Sequence, residues 1–87
     1  MYVLENEKKE NRLGISVSKK VGNSVVRHRL TRLIRESYRL NDEKFHSGWD
    51  IVVIARATAK DKKYQDICSA LLHLGKLHRI IKEMIES

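Results

Sequence analysis

The strictest alternation in the chain runs from Arg12 to Ser18. Leu13, Ile15 and Val17 fall on one side, and Gly14, Ser16 and Ser18 on the other. A period of two with one apolar face predicts a half-buried strand. The second face carries almost no bulk, so another molecule can approach that sheet surface closely. Ahead of it, Met1–Leu4 is apolar with strand-like composition, and the polar run Glu5–Asn11 reads as a hairpin loop. From Ser24 to Leu40 the period lengthens to that of a helix. Val26, Leu30, Leu33, Ile34 and Ser37 gather on one side. Gly22-Asn23-Ser24 punctuates the chain just before, and Asn23 or Ser24 supplies the N-cap.

Beyond this helix, Asn41–Gly48 is a polar connector. Asp50–Arg56, rich in β-branched residues, reads as a more fully buried strand. Ala57–Lys63 is a loop with a positive bias. Tyr64–Ile85 reads as one long helix with Ile67, Leu71, Leu74, Ile81 and Ile85 on its apolar face. Gly75 is the place where it would break, since glycine costs about 1 kcal/mol inside a helix. The order is strand, strand, helix, strand, helix. That predicts an α+β fold, a small two-layer split βαβ arrangement in which both helices cover the same strands. The sequence opens inside its first strand, which leaves an edge that invites pairing with another chain.

With 87 residues, 41% of them hydrophobic, the chain reads as a single domain spanning 1–87 with a thin core. Cys68 is the one cysteine, so no intrachain disulfide can form. The longest strictly apolar run, Ile51–Ala55, is far too short to span a bilayer, and no signal peptide is visible. A reduced, cytoplasmic protein is the simplest expectation. A net charge of +7 and a pI near 9.8 point to a polyanionic partner, with nucleic acid ahead of an anionic membrane surface.

The charge is not spread evenly. Lys19–Arg39 holds seven basic residues and one acid, Glu36, and so carries +6 of the +7. At about 100° per residue, His28, Arg32, Arg35 and Arg39 form one stripe opposite the apolar face, with Arg27 and Arg29 beside it. The stripe is about 16 Å long at 1.5 Å per residue, enough for two or three successive phosphates. Arginine suits that role, because its planar fork binds phosphate through two hydrogen bonds. A solvated helix face would need acids one turn away, and only Glu36 is there. Lys19 and Lys20 precede Gly22 and the helix start, where free N–H groups favour anions. The stretch lacks the spacing of a nucleotide-binding P-loop. The candidate nucleic-acid-binding residues are therefore Lys19, Lys20, Asn23, Arg27, His28, Arg29, Arg32, Arg35 and Arg39.

Catalytic patterns are missing. Glu5, Glu7 and Glu10 sit in a polar loop as solvated charges. His28, His46, His73 and His78 show no paired metal-ligand spacing, and Cys68 with His73 fits no zinc pattern. No serine stands in a nucleophile elbow. No catalytic residue and no protein-bound metal or cofactor is expected.

Arg12–Arg39, "RLGISVSKKVGNSVVRHRLTRLIRESYR", resembles the protein subunit of bacterial ribonuclease P. The family shows a strand of the form R-[LIV]-G-[IL]-S-V-[SG]-K-K followed by G-N-A-V-x-R-N-R and further basic residues. "GWDIVVIAR" (Gly48–Arg56) and "YQDICSALLHL" (Tyr64–Leu74) fit in order and length. The resemblance implies an α+β sandwich, like one domain of a ribosomal protein, with a left-handed βαβ crossover against the usual right-handed rule. It implies an accessory subunit of an endoribonuclease whose RNA cleaves the 5′ leader from precursor tRNA using Mg²⁺. The expected partners are ribonuclease P RNA and precursor tRNA, and no membrane. By position, Arg27, Arg29, Arg32 and Arg35 are the RNA-facing arginines, and Lys19, Lys20, Gly22 and Asn23 match the lysine loop and helix start.

The sequence departs from the pattern in two places. His28 replaces the family's asparagine, and Thr31 stands where a basic residue is common. The family also carries a further helix and strand ahead of the segment matching Met1–Leu4. The resemblance therefore implies a chain that is either truncated or called from a late start, and the surface this exposes is expected to be covered by a second copy, as a homodimer or by strand exchange. The competing expectation is a general structured-RNA-binding or ribosomal-protein-like module. A membrane-surface helix fits worst, because no bulky apolar residues border the arginines.

Overall fold

A computed structural model describes residues 1–82. The elements are β1 (Tyr2–Glu5), β2 (Arg12–Val17), α1 (Ser24–Asn41), β3 (Trp49–Ala55) and α2 (Tyr64–Leu77). Short 3₁₀ turns occupy Lys19–Val21, Asp42–Lys44 and Ala57–Ala59. The architecture is the expected small α+β one, a three-stranded sheet with two helices. The strand order is β1-β3-β2. β2 and β3 run parallel, with Leu13 opposite Ile51, Ile15 opposite Val53 and Val17 opposite Ala55. β1 runs antiparallel to β3, with Tyr2 opposite Val52 and Glu5 opposite Trp49.

Glu5–Asn11 is consequently not a hairpin loop. It carries the chain past the end of β3, and β3 lies between the two strands it joins. Side chains tie it down. Asn11 donates through Nδ2 to the Tyr38 hydroxyl at 3.0 Å and to the His46 carbonyl at 2.9 Å, and its Oδ1 accepts from the Trp49 amide at 2.8 Å. Asn6 Nδ2 donates to Asp50 Oδ1 at 3.0 Å.

Both helices cover one face of the sheet. Ile51, Val53 and Ala55 are buried there, with Leu13, Ile15 and Val17 beside them. The period-two pleat sends their neighbours to the other side, where Val52 and Ile54 remain 38% and 37% exposed. β3 is thus a half-buried strand. Its β-branched run suggested burial on both faces, but only one face is packed.

α1 begins where the sequence places it. Asn23 is extended, and its side chain accepts from the Val26 amide at 3.1 Å. The helix anchors itself through Leu30, Ile34, Ser37, Tyr38 and Asn41, all buried. Tyr38 and Asn41 extend the expected face by one turn. The Ser37 hydroxyl donates to the Ile34 carbonyl at 2.9 Å, which satisfies a polar group with no access to water.

α2 is shorter than its periodicity predicts. Arg79 adopts a left-handed φ of 59°, the Ile80 amide bonds the Gly75 carbonyl at 3.0 Å, and the Arg79 amide bonds the Lys76 carbonyl at 3.0 Å. This is a Schellman stop with arginine where glycine is usual. The chain then turns back, buries Ile80 completely and bridges Ile81 to Phe45. Gly75 permits this, since a Cβ there would lie 2.7 Å from Ile81 Cγ1 and 3.0 Å from Phe45 Cε2. Ile81 therefore packs against α2 from outside it, and Ile85 lies outside the described residues.

Candidate nucleic-acid interface

The buried face of α1 fixes where its other face points. With Leu30 and Ile34 held against the sheet, His28, Arg32, Arg35 and Arg39 all project into solvent. The expected stripe is present as a continuous exposed track. Its members are not equivalent. Arg39 forks onto Glu36, Nε to Oε2 at 3.1 Å and Nη2 to Oε1 at 2.5 Å. The hydrogen bond from Arg39 holds the Glu36 carboxyl below its ordinary range, so the pair stays ionised and mutually neutralised. Arg32 and Arg35 have no such partner among the described residues.

Arg27 lies deeper. Its Nε is buried and without a hydrogen-bond partner, at the edge of a depression of about 240 Å³ lined by Val17, Ser24, Arg27, His28 and Thr31. Both residues that leave the expected motif, His28 and Thr31, meet in this one place. The Thr31 hydroxyl donates back to the Arg27 carbonyl at 2.9 Å, so it has no proton left to offer an incoming phosphate. Arg29 points elsewhere: Nη1 reaches the Lys60 carbonyl at 3.5 Å and Nη2 the Lys62 carbonyl at 3.3 Å.

Lys19 and Lys20 are exposed on the turn before α1, with the Lys20 amide bonded to Ser18 Oγ at 3.2 Å. Asn23 is exposed, but its amide oxygen is occupied as the helix cap. The structure thus brings Lys19, Lys20, Arg27, His28, Arg32 and Arg35 to one end and one side of α1. Asn23, Arg29 and Arg39 are engaged with the protein itself.

Two further features stand beside the track, the first foreshadowed by the small residues on one face of β2 and the second without a sequence signal. The outer sheet face is open, with Tyr2 at 63% and Leu4 at 69% exposed beside Val52, Ile54, Gly14 and Ser16. Among the described residues it carries one charged pair, Arg12 with Asp50, at 3.9 Å. The second feature is an apolar groove of about 400 Å³ between α1, α2 and the end of β3, lined among others by Leu30, Ile54, Ile67 and Leu71. Among the described residues, no three His, Cys, Asp or Glu side chains come close enough to hold a metal. No helix there is long and apolar enough to cross a membrane.

A three-stranded sheet backed by two helices, with one helix turning an arginine track outward, defines a class of small basic α+β proteins with a cationic helix face. The comparisons narrow it. The sequence model of the Ribonuclease P family matches residues 1–82. The ribonuclease P protein component of Lachnoclostridium phytofermentans is 70% identical over 81 residues, 93% of this chain and 70% of that one. That of Clostridioides difficile is 51% identical over 77 residues, 87% of this chain and 68% of that one. The RNase P protein of Staphylococcus aureus superposes with a TM-score of 0.82 at 40% identity, covering 93% of this chain and 74% of that one. The Thermotoga maritima RNase P protein gives 0.79 at 31%, over 98% and 74%. The chain belongs to the ribonuclease P protein component family. Membership implies a role in the ribonuclease P holoenzyme and ribonuclease P RNA as partner.

Proposed function

We propose that the chain binds ribonuclease P RNA through the outward track of α1 and supports Mg²⁺-dependent removal of the 5′ leader from precursor tRNA. The observation that carries this reading is the exposed pair Arg32 and Arg35, continued by His28 and the Lys19–Lys20 turn, on a helix whose opposite face is fully anchored. Phosphates address such a track through charge and bidentate hydrogen bonds. The open sheet face supports a second contact. Gly14 and Ser16 leave it flat, and the exposed Tyr2 ring can stack on an unpaired base of the leader.

In this reading hydrolysis belongs to the RNA with its Mg²⁺, as the family resemblance implies. The chain's own part is to bind and orient. The outer edge of β1 carries no strand among the described residues, and a second copy would pair there. Light scattering at high protein concentration tests that arrangement, and a clean monomer counts against it.

Reconstitution tests the main reading. The protein is added to a bacterial ribonuclease P RNA, and cleavage of precursor tRNA is followed as Mg²⁺ is lowered. Cleavage should persist to lower Mg²⁺ with the protein than without it. An unchanged Mg²⁺ requirement overturns the proposal. A second reading, a broader structured-RNA binder, draws support from a solved Staphylococcus aureus RNase P protein mutant described as defective in mRNA degradation activity. Equal affinity for ribonuclease P RNA and for unrelated structured RNA would favour it.

A further inference from the structure

Arg29 is the basic residue of α1 whose guanidinium, though exposed, reaches the backbone of another segment. It donates to two carbonyls, those of Lys60 and Lys62, in the loop between β3 and α2. That loop, Arg56–Lys63, contains four basic residues and one acid, Asp61. Arg56, Lys60, Lys62 and Lys63 are all exposed, and neither ion pair found among the described residues involves them. The loop is internally ordered: the Lys60 amide bonds the Ala57 carbonyl and the Lys62 amide the Ala59 carbonyl, each at 3.2 Å. Its first turn, Ala57–Ala59, packs against the Lys19–Val21 turn.

A guanidinium set beneath a loop of lysines gathers like charges, which repel one another. Folding alone would be served as well by a neutral donor. An arrangement that concentrates cations on one ledge is suited to a polyanion that relieves the repulsion. The ledge also continues the α1 track. Arg29 lies about 100° around the helix from His28, and the Lys19–Lys20 turn joins the two.

We propose that Arg29 is a positioning residue that clamps the Arg56–Lys63 loop against α1, and that Lys60, Lys62 and Lys63 form a second phosphate-binding rim for the RNA backbone. The inference rests on the RNA reading above and adds a contact surface to it. In this arrangement Arg29 does not itself face phosphate. It acts through the two carbonyls, a task that needs two forked donors and that a lysine ammonium at the same position performs poorly.

The test measures affinity of the full chain for a bacterial ribonuclease P RNA across a salt series. The triple variant Lys60→Ala, Lys62→Ala, Lys63→Ala should lower the slope of log K against log salt by about two phosphate contacts. Arg29→Lys keeps the charge but loses the fork. It should lower the slope nearly as much, and combining it with the triple variant should add nothing further. Amide exchange in residues 57–63 of the RNA-free Arg29→Lys protein should quicken. A wild-type slope for Arg29→Lys, or effects that add, overturns the clamp. An unchanged slope for the triple variant overturns the rim. Arg32→Ala with Arg35→Ala separates the two levels. If that pair flattens the slope and the loop variants do not, the rim alone falls; if no variant changes the slope, the RNA reading falls with it.

Discussion

Removing Arg32 and Arg35 together is the sharpest perturbation of the α1 track. Both are exposed and unpaired among the described residues, so their replacement by alanine should leave stability within about 0.5 kcal/mol. They stand three residues apart, about 4.5 Å along the axis, close enough to serve neighbouring phosphates. Each phosphate neutralised contributes about 0.7–0.9 to the slope of log K against log salt, so the double variant should lose about 1.4–1.8. Between about 50 and 200 mM salt the wild-type protein should then lose about tenfold more affinity than the variant. Glu36 supplies the opposite control. It neutralises Arg39 through two hydrogen bonds, so Glu36→Gln should free that arginine and steepen the slope by about one contact. The assay is RNA-binding titration over a salt series, with thermal unfolding of each variant as control. A double variant with the wild-type slope refutes the placement of RNA on this face. A Glu36→Gln variant that binds no more steeply refutes the claim that Arg39 is withheld.

Three further predictions concern the scaffold. Asn23→Ala removes the oxygen that accepts from Val26 N at 3.1 Å and should cost about 1 kcal/mol in urea unfolding. Gly75→Ala places a methyl 2.7 Å from Ile81 Cγ1; overpacking of about 1–3 kcal/mol should outweigh the helix gain of about 1 kcal/mol, and a stabilised variant would contradict the packing described. Burial, reinforced by the neighbouring Asp42 carboxylate, raises the Tyr38 hydroxyl from 10.0 to about 12. The neutral phenol is therefore favoured in the fold, and its contribution is complete below pH 10 and lost as pH rises toward 12. Two units set a ceiling of about 3 kcal/mol, which solvent at the Asn11 and Asp42 side reduces to about 1 kcal/mol. Tyr38→Phe should lack that alkaline loss in pH-dependent unfolding.

What could be read in advance depended on whether a signal was periodic or single. α1 was legible almost to the residue, because four apolar positions with Ser37, a cap and a charged face all agree over Ser24–Asn41. β2 was legible for the same reason. Phe45 was not, being one aromatic in a polar connector whose partners, Gly75 and Ile81, lie far along the chain in and beyond α2. The end of α2 was hidden because Ile81 keeps the helical period while Arg79, rather than glycine, takes the left-handed position. In the site, the outward arginines followed from spacing alone. The engagement of Arg29 did not, since its acceptors are backbone carbonyls, which every residue has and no residue type announces.

The same helix must hold the fold and carry the charge, and the magnitudes show that it can do both. Arg32 with Arg35 and Arg35 with Arg39 are like-charged pairs one turn apart, each destabilising by about 0.2–0.5 kcal/mol. Arg39 with Glu36 offsets one of them. Against this, Leu30 at 0% and Ile34 at 4% exposure contribute about 1.5–3 kcal/mol each by burial. A single anchor therefore outweighs the whole repulsion of the track. Glutamine or alanine along the outer face would have avoided even that small cost, so the arginines are not explained by what α1 needs in order to fold. The buried face sets where they point, and the surplus charge is left to answer to a partner. That separation makes the salt slope a test of function rather than of stability.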